Sequence, residues 1–582
     1  MKKGIATVSL SGVLADKLGA IAAAGFDGIE LFDNDLVSSP LSPREVASRC
    51  ADLGLTIDLF QPVRDVEGVP PERFDAVLHR FRAMLAVIRE LGAPVVLACS
   101  NVGPDAIDDL DLTASQLHAL GDLAAKDGVT IAYEALAWGR HVNRVGQAWE
   151  AVRRADHPSV TLAVDTFHML SRGDDGSALA GVPGDRIGFL QVADAPLLDM
   201  DVLEWSRHFR CFPGEGTLDV AGVVAATLAT GYAGPLSLEV FSDVVREADP
   251  AVTARDAMRS LVFLEDQLGV APQPPSPASI DPAFLEVPGS PAVPPLLESL
   301  GFAPAGHHRT KPVTWWRQGD AHVVVNDGDS PDPALGVVAA PVSGVAERAK
   351  ALLWPAVDRT RGAGEAHLPG ITSPSGLHVF VSAPAGDEDD WQRDFLPVAA
   401  PGDGSWLGLD HVAVAVPPDR LNEEVSFLRT LFALQAGTAE EFMEPHGRLR
   451  SRAFRPTTGA LRVVLNVEES VAPASGITQV AFGCTDVRAE VRALRSRGVP
   501  LMPVPDNYYV DLDARFDLGT ELVADLREHS LLYDRAGAGE LLHAFTAPLP
   551  TGFHVELLER RGGYDGYGSA GTHVRLAMQR SR

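Results

Sequence analysis

The chain has 582 residues, 46% of them hydrophobic, and a formal net charge of -29 at pH 7. That length exceeds what one ordinary core holds and predicts about two to four domains. The acidic balance excludes nucleic acid as the main partner, because phosphate recognition needs clustered Lys and Arg. The four cysteines, Cys50, Cys99, Cys211 and Cys484, are scattered without a CxxC pair. Neither a disulfide framework nor a zinc ribbon is expected, and a reduced cytoplasm fits. The opening MKKGIATVSL has two lysines but then Gly, Thr and Ser in place of an apolar core. It predicts the first strand of a domain, not a signal peptide. No apolar run reaches the ~18 residues that a membrane span needs.

Residues 1–270 alternate short β-like runs with longer helical segments. The run 4–10 precedes a helix over 14–25 that Gly closes. The run 28–32 precedes a helix opened by Ser42-Pro43, where the missing proline N–H is harmless. The run 56–60 precedes a long helix over 71–91, whose apolar Phe74, Val77, Leu78, Phe81, Leu85 and Ile88 recur three or four apart. The run 94–99 is followed by a helix over 113–126. Three more runs cover 130–136, 161–166 and 187–193. A helix starts near Leu218-Asp219, an eighth run covers 235–241, and a helix over 252–268 closes the series. Eight repeats predict a (β/α)8 TIM barrel; the alternative, a doubly wound open sheet, lacks a GxGxxG after the first run.

Barrel active sites lie at the C-terminal strand ends. The runs TIAYE, TLAVD, IGFLQ and PLSLE end in Glu134, Asp165, Gln191 and Glu239. Strand ends are often polar simply because loops begin there, but four oxygen donors on consecutive strands form a set. Converging carboxylates repel unless a cation joins them. All-oxygen ligation suits Mg²⁺ or Mn²⁺, with Zn²⁺ or Co²⁺ as alternatives. His168 follows Asp165 by three residues in DTFH. Arg64 lies in FQPVRDVEG, and Ser206 and Arg210 lie in EWSRHFR. Arginines at a barrel mouth would grip a substrate carboxylate, although most arginines are surface charge.

The pattern resembles the xylose isomerase-like superfamily of sugar isomerases and epimerases. FQPVRDVEG, YEALAWG, VDTFHML, LQVADAP, PGEG and SLEVF are similar to bacterial 3-dehydroshikimate dehydratases of quinate and shikimate catabolism. The resemblance implies metal ligation by Glu134, Asp165, Gln191 and Glu239. It implies substrate contacts from Arg64, His168, Ser206 and Arg210. Many epimerases of the superfamily have His where this chain has Gln191, which weakens a sugar-epimerase reading. The implied reaction is enolate formation on 3-dehydroshikimate, loss of a β-hydroxyl as water and aromatisation to protocatechuate. His168 is the expected acid/base, with Glu134 or Glu239 as the alternative.

Residues 271–282, APQPPSPASIDP, hold five prolines and open a linker expected over 271–283. Beyond it, over 284–582, short β-like runs dominate. LLESLGFAPAG followed by TWWRQGDAHVVVN is loosely repeated by FLRTLFALQAG followed by SRAFRPTTGALRVVLN. With β-rich stretches at 335–383 and 476–559, this predicts four βαβββ-like units of an α+β vicinal oxygen chelate domain. GLDHVAVAVP, PVPDNYYVDL, ELLHAFT and FHVELLERRGGYDGYG resemble 4-hydroxyphenylpyruvate dioxygenases. The resemblance implies a second metal position at His411, Gln479 and Glu556, with Gln479 where the dioxygenases have His. An amide is a poorer Fe(II) ligand than imidazole. The expected reading is therefore a dehydratase barrel joined to a module that stabilises, regulates or assembles it, homo-oligomers included. The alternatives are a sugar isomerase or epimerase in the barrel, or dioxygenase activity in the second half.

Overall fold

The computed structural model describes residues 1–328, 333–398, 404–444, 447–469 and 476–580. The chain divides into two units, Met1–Gln273 and Pro274–Arg582. In the first, eight strands form a closed barrel in chain order. They are β1 (Lys3–Ala6), β2 (Gly28–Phe32), β3 (Thr56–Val63), β4 (Val95–Cys99), β5 (Thr130–Glu134), β6 (Val160–Asp165), β7 (Ile187–Val192) and β8 (Leu236–Leu238). Closure is direct: β1 pairs in parallel with both β2 and β8. The first and last runs form shorter strands than their apolar content suggested. β1 gives way to a 3-10 turn at Thr7–Ser9, and β8 has three residues.

Helices surround the barrel for the reasons their sequences contain. Pro71–Leu91 buries Val77, Phe81, Leu85, Ile88 and Leu91 on one face. It stops at Gly92, whose left-handed φ of 72° suits glycine. Pro43–Asp52 begins with a capping box, Ser42 and Glu45 satisfying each other's backbone N–H. One further helix, Val145–Ala155, lies between β5 and β6. Strand alternation sends every second side chain inward. Leu59, Leu97, Ala132, Ala163 and Phe189 accordingly pack as one apolar layer inside the barrel. Two residues further along, on the same face, come Gln61, Cys99, Glu134, Asp165 and Gln191. The alternation that builds the floor thus lifts the polar groups above it.

The second unit contains two eight-stranded sheets. In the sheet built from Trp406–Ala415 onward, two βαβββ units meet through their first strands. Trp406–Ala415 pairs antiparallel with Gly476–Cys484, and each of these pairs in parallel with the last strand of its own unit, Val463–Glu469 and His554–Arg561. The final unit also carries the helices Asp506–Phe516 and Thr520–His529. The other sheet is less regular. Its first unit runs from Ile280–Pro288 to Ala321–Asn326, and these two strands pair in parallel. In its second unit, Ala334–Ala339 pairs with His378–Ser382, while Phe395–Pro397 crosses to the far edge of the sheet beside Ala303–His308. Strand Ile280–Pro288 begins inside the proline-rich stretch. Pro282 sits beside a register shift opposite Val337, the kind of position where a strand tolerates a missing N–H. All four cysteines are free and buried. Among the described residues, no helix is long and apolar enough to cross a membrane.

Candidate active site

Glu134 ends β5, Asp165 ends β6, Gln191 lies one residue before the end of β7 and Glu239 follows β8. Pairing brings Asp165 beside Gln191 and Gln191 beside Ser237. All four expected oxygen donors are buried. Arg210, also buried, reaches into their midst. Its Nη1 donates to Asp165 Oδ2 at 2.9 Å and to Glu239 Oε2 at 3.1 Å. Ser206 Oγ accepts from Arg210 Nε and Nη2, at 3.2 and 2.9 Å. The Phe167 ring centroid lies 4.5 Å from the guanidinium carbon. Ser206 and Arg210 therefore act as one piece, with the hydroxyl fixing the guanidinium among the carboxylates.

Two buried oxygens in the cluster, Glu134 Oε1 and Gln191 Oε1, have no hydrogen-bond partner among the described residues. Gln191 is held by its other end. Its Nε2 donates to Glu30 Oε2 at 2.7 Å, and Gln61 Nε2 donates to the same oxygen at 2.9 Å. Ser237 Oγ donates to Glu30 Oε1. Glu30, Gln61 and Ser237 were not singled out from the sequence. A signal was present, since β2 and β3 also carry a polar residue near their C-terminal ends.

The electrostatics follow the packing. Burial, reinforced by Asp165 and Glu239, pushes the Glu134 carboxyl well above the usual range. Burial also raises Glu239, to about 7, against the pull of Arg210. Burial and Glu239 raise Glu30. Asp165 moves the other way: burial opposes its charge, but Arg210 and the His168 side keep it below the ordinary value. Burial lowers His168 to about 4, so its ring is neutral near pH 7. His168 Nδ1 accepts the Ala137 N–H at 3.1 Å. Nε2 lies 3.8 Å from Glu134 Oε1 and 3.2 Å from the donor Arg210 Nη2, so both ring nitrogens face N–H groups and the neutral ring accepts from only one of them at a time.

This donor set fits a divalent cation. Ligand atoms of Glu134, Asp165 and His168 lie within 4.8 Å of one another. Two unpartnered oxygens belong to the same cluster, and three carboxylates share it with one guanidinium. Arg64 stands apart. It follows β3, is exposed, and makes no hydrogen bond or ion pair among the described residues. Its charge is still felt at Cys99 inside the barrel.

The second unit also gathers its expected residues. His411 Nε2 lies 3.4 Å from Glu556 Oε2, and Gln479 stands between them. Gln479 Nε2 lies 3.3 Å from His411 Nε2 and donates to Glu556 Oε2. Gln479 Oε1 lies 3.2 Å from His554 Nε2. His543 Nδ1 meets Glu556 Oε1 at 2.6 Å. Burial opposes a charge on His411, yet Asp410 and Glu556 push it up to about 9. His543 and His554 were missed as parts of this cluster, although ELLHAFT and FHVELLER contain them. Gln479 donates its nitrogen to Glu556 beside the His411 ring; no reaction step is assigned to this site.

A family model described as a xylose isomerase-like TIM barrel matches residues 18–263. A 3-dehydroshikimate dehydratase of Pseudomonas putida is 43% identical, over 99% of this chain and 98% of that protein. The chain belongs to the 3-dehydroshikimate dehydratase family. A solved structure described as a xylose isomerase-like TIM barrel/4-hydroxyphenylpyruvate dioxygenase fusion protein has 42% identity and a TM-score of 0.91, covering 100% of this chain and 99% of that one. A 4-hydroxyphenylpyruvate dioxygenase of Pseudomonas aeruginosa is 26% identical over 46% of this chain and 83% of its own length. The fusion of the two architectures is therefore shared by a relative along its whole length.

Proposed function

We propose that the barrel converts 3-dehydroshikimate to protocatechuate and water. The observation that carries this reading is the end-to-end similarity to the Pseudomonas putida dehydratase, and the chemistry of the barrel mouth supports it. A divalent cation there, Mg²⁺ or Mn²⁺ before Zn²⁺ or Co²⁺, would be held by Glu134, Asp165, Gln191 and Glu239. When bound it supplies Lewis acidity to the substrate ketone.

The chain's own groups account for the remaining needs. Loss of water requires removal of the ring proton next to the ketone and protonation of the departing β-hydroxyl; a second proton shift completes the aromatic ring. His168, with Nε2 3.8 Å from Glu134 Oε1, serves as the acid/base that relays a proton from the carboxyl to the leaving hydroxyl. Glu134 or Glu239, raised toward neutrality by burial, takes the ring proton. Arg64, exposed and unpaired at the mouth, binds the substrate carboxylate. Arg210, anchored by Ser206, balances the carboxylates and sets their spacing. The all-oxygen set with Gln191 and the exposed Arg64 favours an anionic ring over a neutral sugar.

Following protocatechuate absorbance in the full-length chain with 3-dehydroshikimate tests the reading. An absorbance rise is expected for the wild type, with no rise for His168→Ala at unchanged metal content. A flat trace for the metal-loaded wild type overturns the function, and near-normal turnover in His168→Ala overturns the histidine's role.

A further inference from the structure

Inside the first sheet of the second unit, between Ala303–His308, Val313–Gln318, Ala321–Asn326 and Ile280–Pro288, lies a cavity of about 570 Å³. Small-molecule sites span roughly 300–1,000 Å³. The cavity has an aromatic floor. Phe284 and Trp391 lie 4.8 Å apart by ring centroids, and Trp391 and Phe395 lie 5.7 Å apart. All three are buried.

Polar groups line the cavity at several places, among them Asp358, His378 and a Glu286 carboxylate that accepts from Asn326 Nδ2 at 2.7 Å; two further places carry the argument. At the first, His308 and Asp394 are both buried. His308 Nδ1 accepts the backbone N–H groups of Thr310 and Lys311, each at 3.2 Å. The neutral ring therefore carries its proton on Nε2. That atom is buried without a hydrogen-bond partner among the described residues and lies 3.8 Å from Asp394 Oδ2. The gap is too long for a direct hydrogen bond, but one hydroxyl oxygen could accept from Nε2 and donate to the carboxylate. At the second place, Arg359 is exposed, with its guanidinium carbon 4.9 Å from the Phe380 ring centroid. Lys311 is occupied by Glu365 at 2.8 Å, whereas Arg359 makes no ion pair among the described residues. Its charge is felt at His308.

We propose that this cavity binds a small hydroxylated aromatic acid: the ring on Phe284, Trp391 and Phe395, a ring hydroxyl between His308 and Asp394, and the carboxylate at Arg359. A buried donor facing an acceptor, an apolar floor and an unpaired cation at the rim together describe that class. On the dehydratase reading, protocatechuate is the barrel's product and belongs to it, so the module would sense or retain what the barrel makes.

The experiment titrates full-length chain with protocatechuate and with benzoate, by calorimetry and by tryptophan emission, which Trp391 and Trp315 report. The wild type, the exposed-rim variant Arg359→Glu and the barrel variant Glu134→Gln are compared. Binding that quenches emission is expected to persist in Glu134→Gln and to weaken about tenfold or more in Arg359→Glu, the scale of a lost charge-assisted hydrogen bond. Benzoate, lacking the hydroxyl, is expected to bind about tenfold more weakly. Absence of binding overturns the proposal, as does binding that is lost in Glu134→Gln and unchanged in Arg359→Glu. Equal affinity for benzoate overturns the role of His308 and Asp394. Arg359-dependent binding in a chain that cannot turn over 3-dehydroshikimate leaves the cavity standing and removes the dehydratase reading.

Discussion

Two glutamines stand at the expected ligand positions of the two units and point opposite ends of their amides into their sites. Gln191 spends its nitrogen on Glu30 and leaves Oε1 without a partner in the barrel. Gln479 meets His554 with its oxygen and turns its nitrogen toward His411 and Glu556. The same residue type thus offers an unpartnered oxygen in one unit and a donor to a buried carboxylate in the other. The neighbour decides: a carboxyl behind Gln191 claims the donor end, and a histidine behind Gln479 meets the acceptor end. Residue identity at a ligand position is accordingly a weaker guide than the hydrogen bond made behind it.

Removing a barrel oxygen donor should break this contrast most severely. Asp165→Asn or Glu134→Gln is expected to cut turnover by about 10³-fold or more, since Lewis-acid stabilisation supplies several kcal/mol; kcat and bound metal measured together check it. Arg210→Met leaves Asp165 and Glu239 buried without their guanidinium. A loss of about 3–5 kcal/mol is expected, the scale of a broken buried ion pair, and a divalent ion should restore much of it. Thermal unfolding with and without Mn²⁺ reads this out.

The second site should respond to pH instead. His411 is raised from an ordinary value near 6.5 to about 9. Its contribution to stability is therefore fully present below about pH 6.5 and lost as pH climbs through 9, a change on the order of 1–3 kcal/mol. Denaturation midpoints of wild type and His411→Gln across that window should differ in slope; parallel curves would remove the charged-imidazole account. Glu30→Gln sharpens the comparison from the barrel side. By freeing the Gln191 amide to rotate, it should weaken metal binding by about 10–100-fold, as supporting-shell substitutions do. Gln479→Ala, the mildest case, should leave barrel turnover within about twofold while destabilising the chain by ~1–3 kcal/mol through unpaired buried groups.

Much of the barrel was readable because its signals are periodic. The helix over 71–91 announced itself by large apolar residues every third or fourth position, and four strands ended in oxygen donors. Helix Val145–Ala155 escaped because its buried face is Val145, Ala148, Ala151, Val152 and Ala155, and alanines give little contrast with a polar face. Strand Ile280–Pro288 was hidden by prolines that mark a linker in sequence, of which Pro282 sits at a bulge in the sheet. Glu30 was missed because a charged residue within a short apolar run looks like an outward-facing position. Only barrel closure shows that it stands behind Gln191. The hydrogen-bonding direction of an amide has no sequence signature, so the opposition of Gln191 and Gln479 needed the three-dimensional arrangement.

The central claim is that the barrel's oxygen donors hold a divalent cation that 3-dehydroshikimate dehydration requires. The most direct measurement is protocatechuate formation by the full-length chain before chelation, after chelation and after re-addition of Mg²⁺ or Mn²⁺. The account predicts activity, its loss and its recovery, with Asp165→Asn inactive throughout. Full turnover by chelated, demonstrably metal-free chain would contradict it.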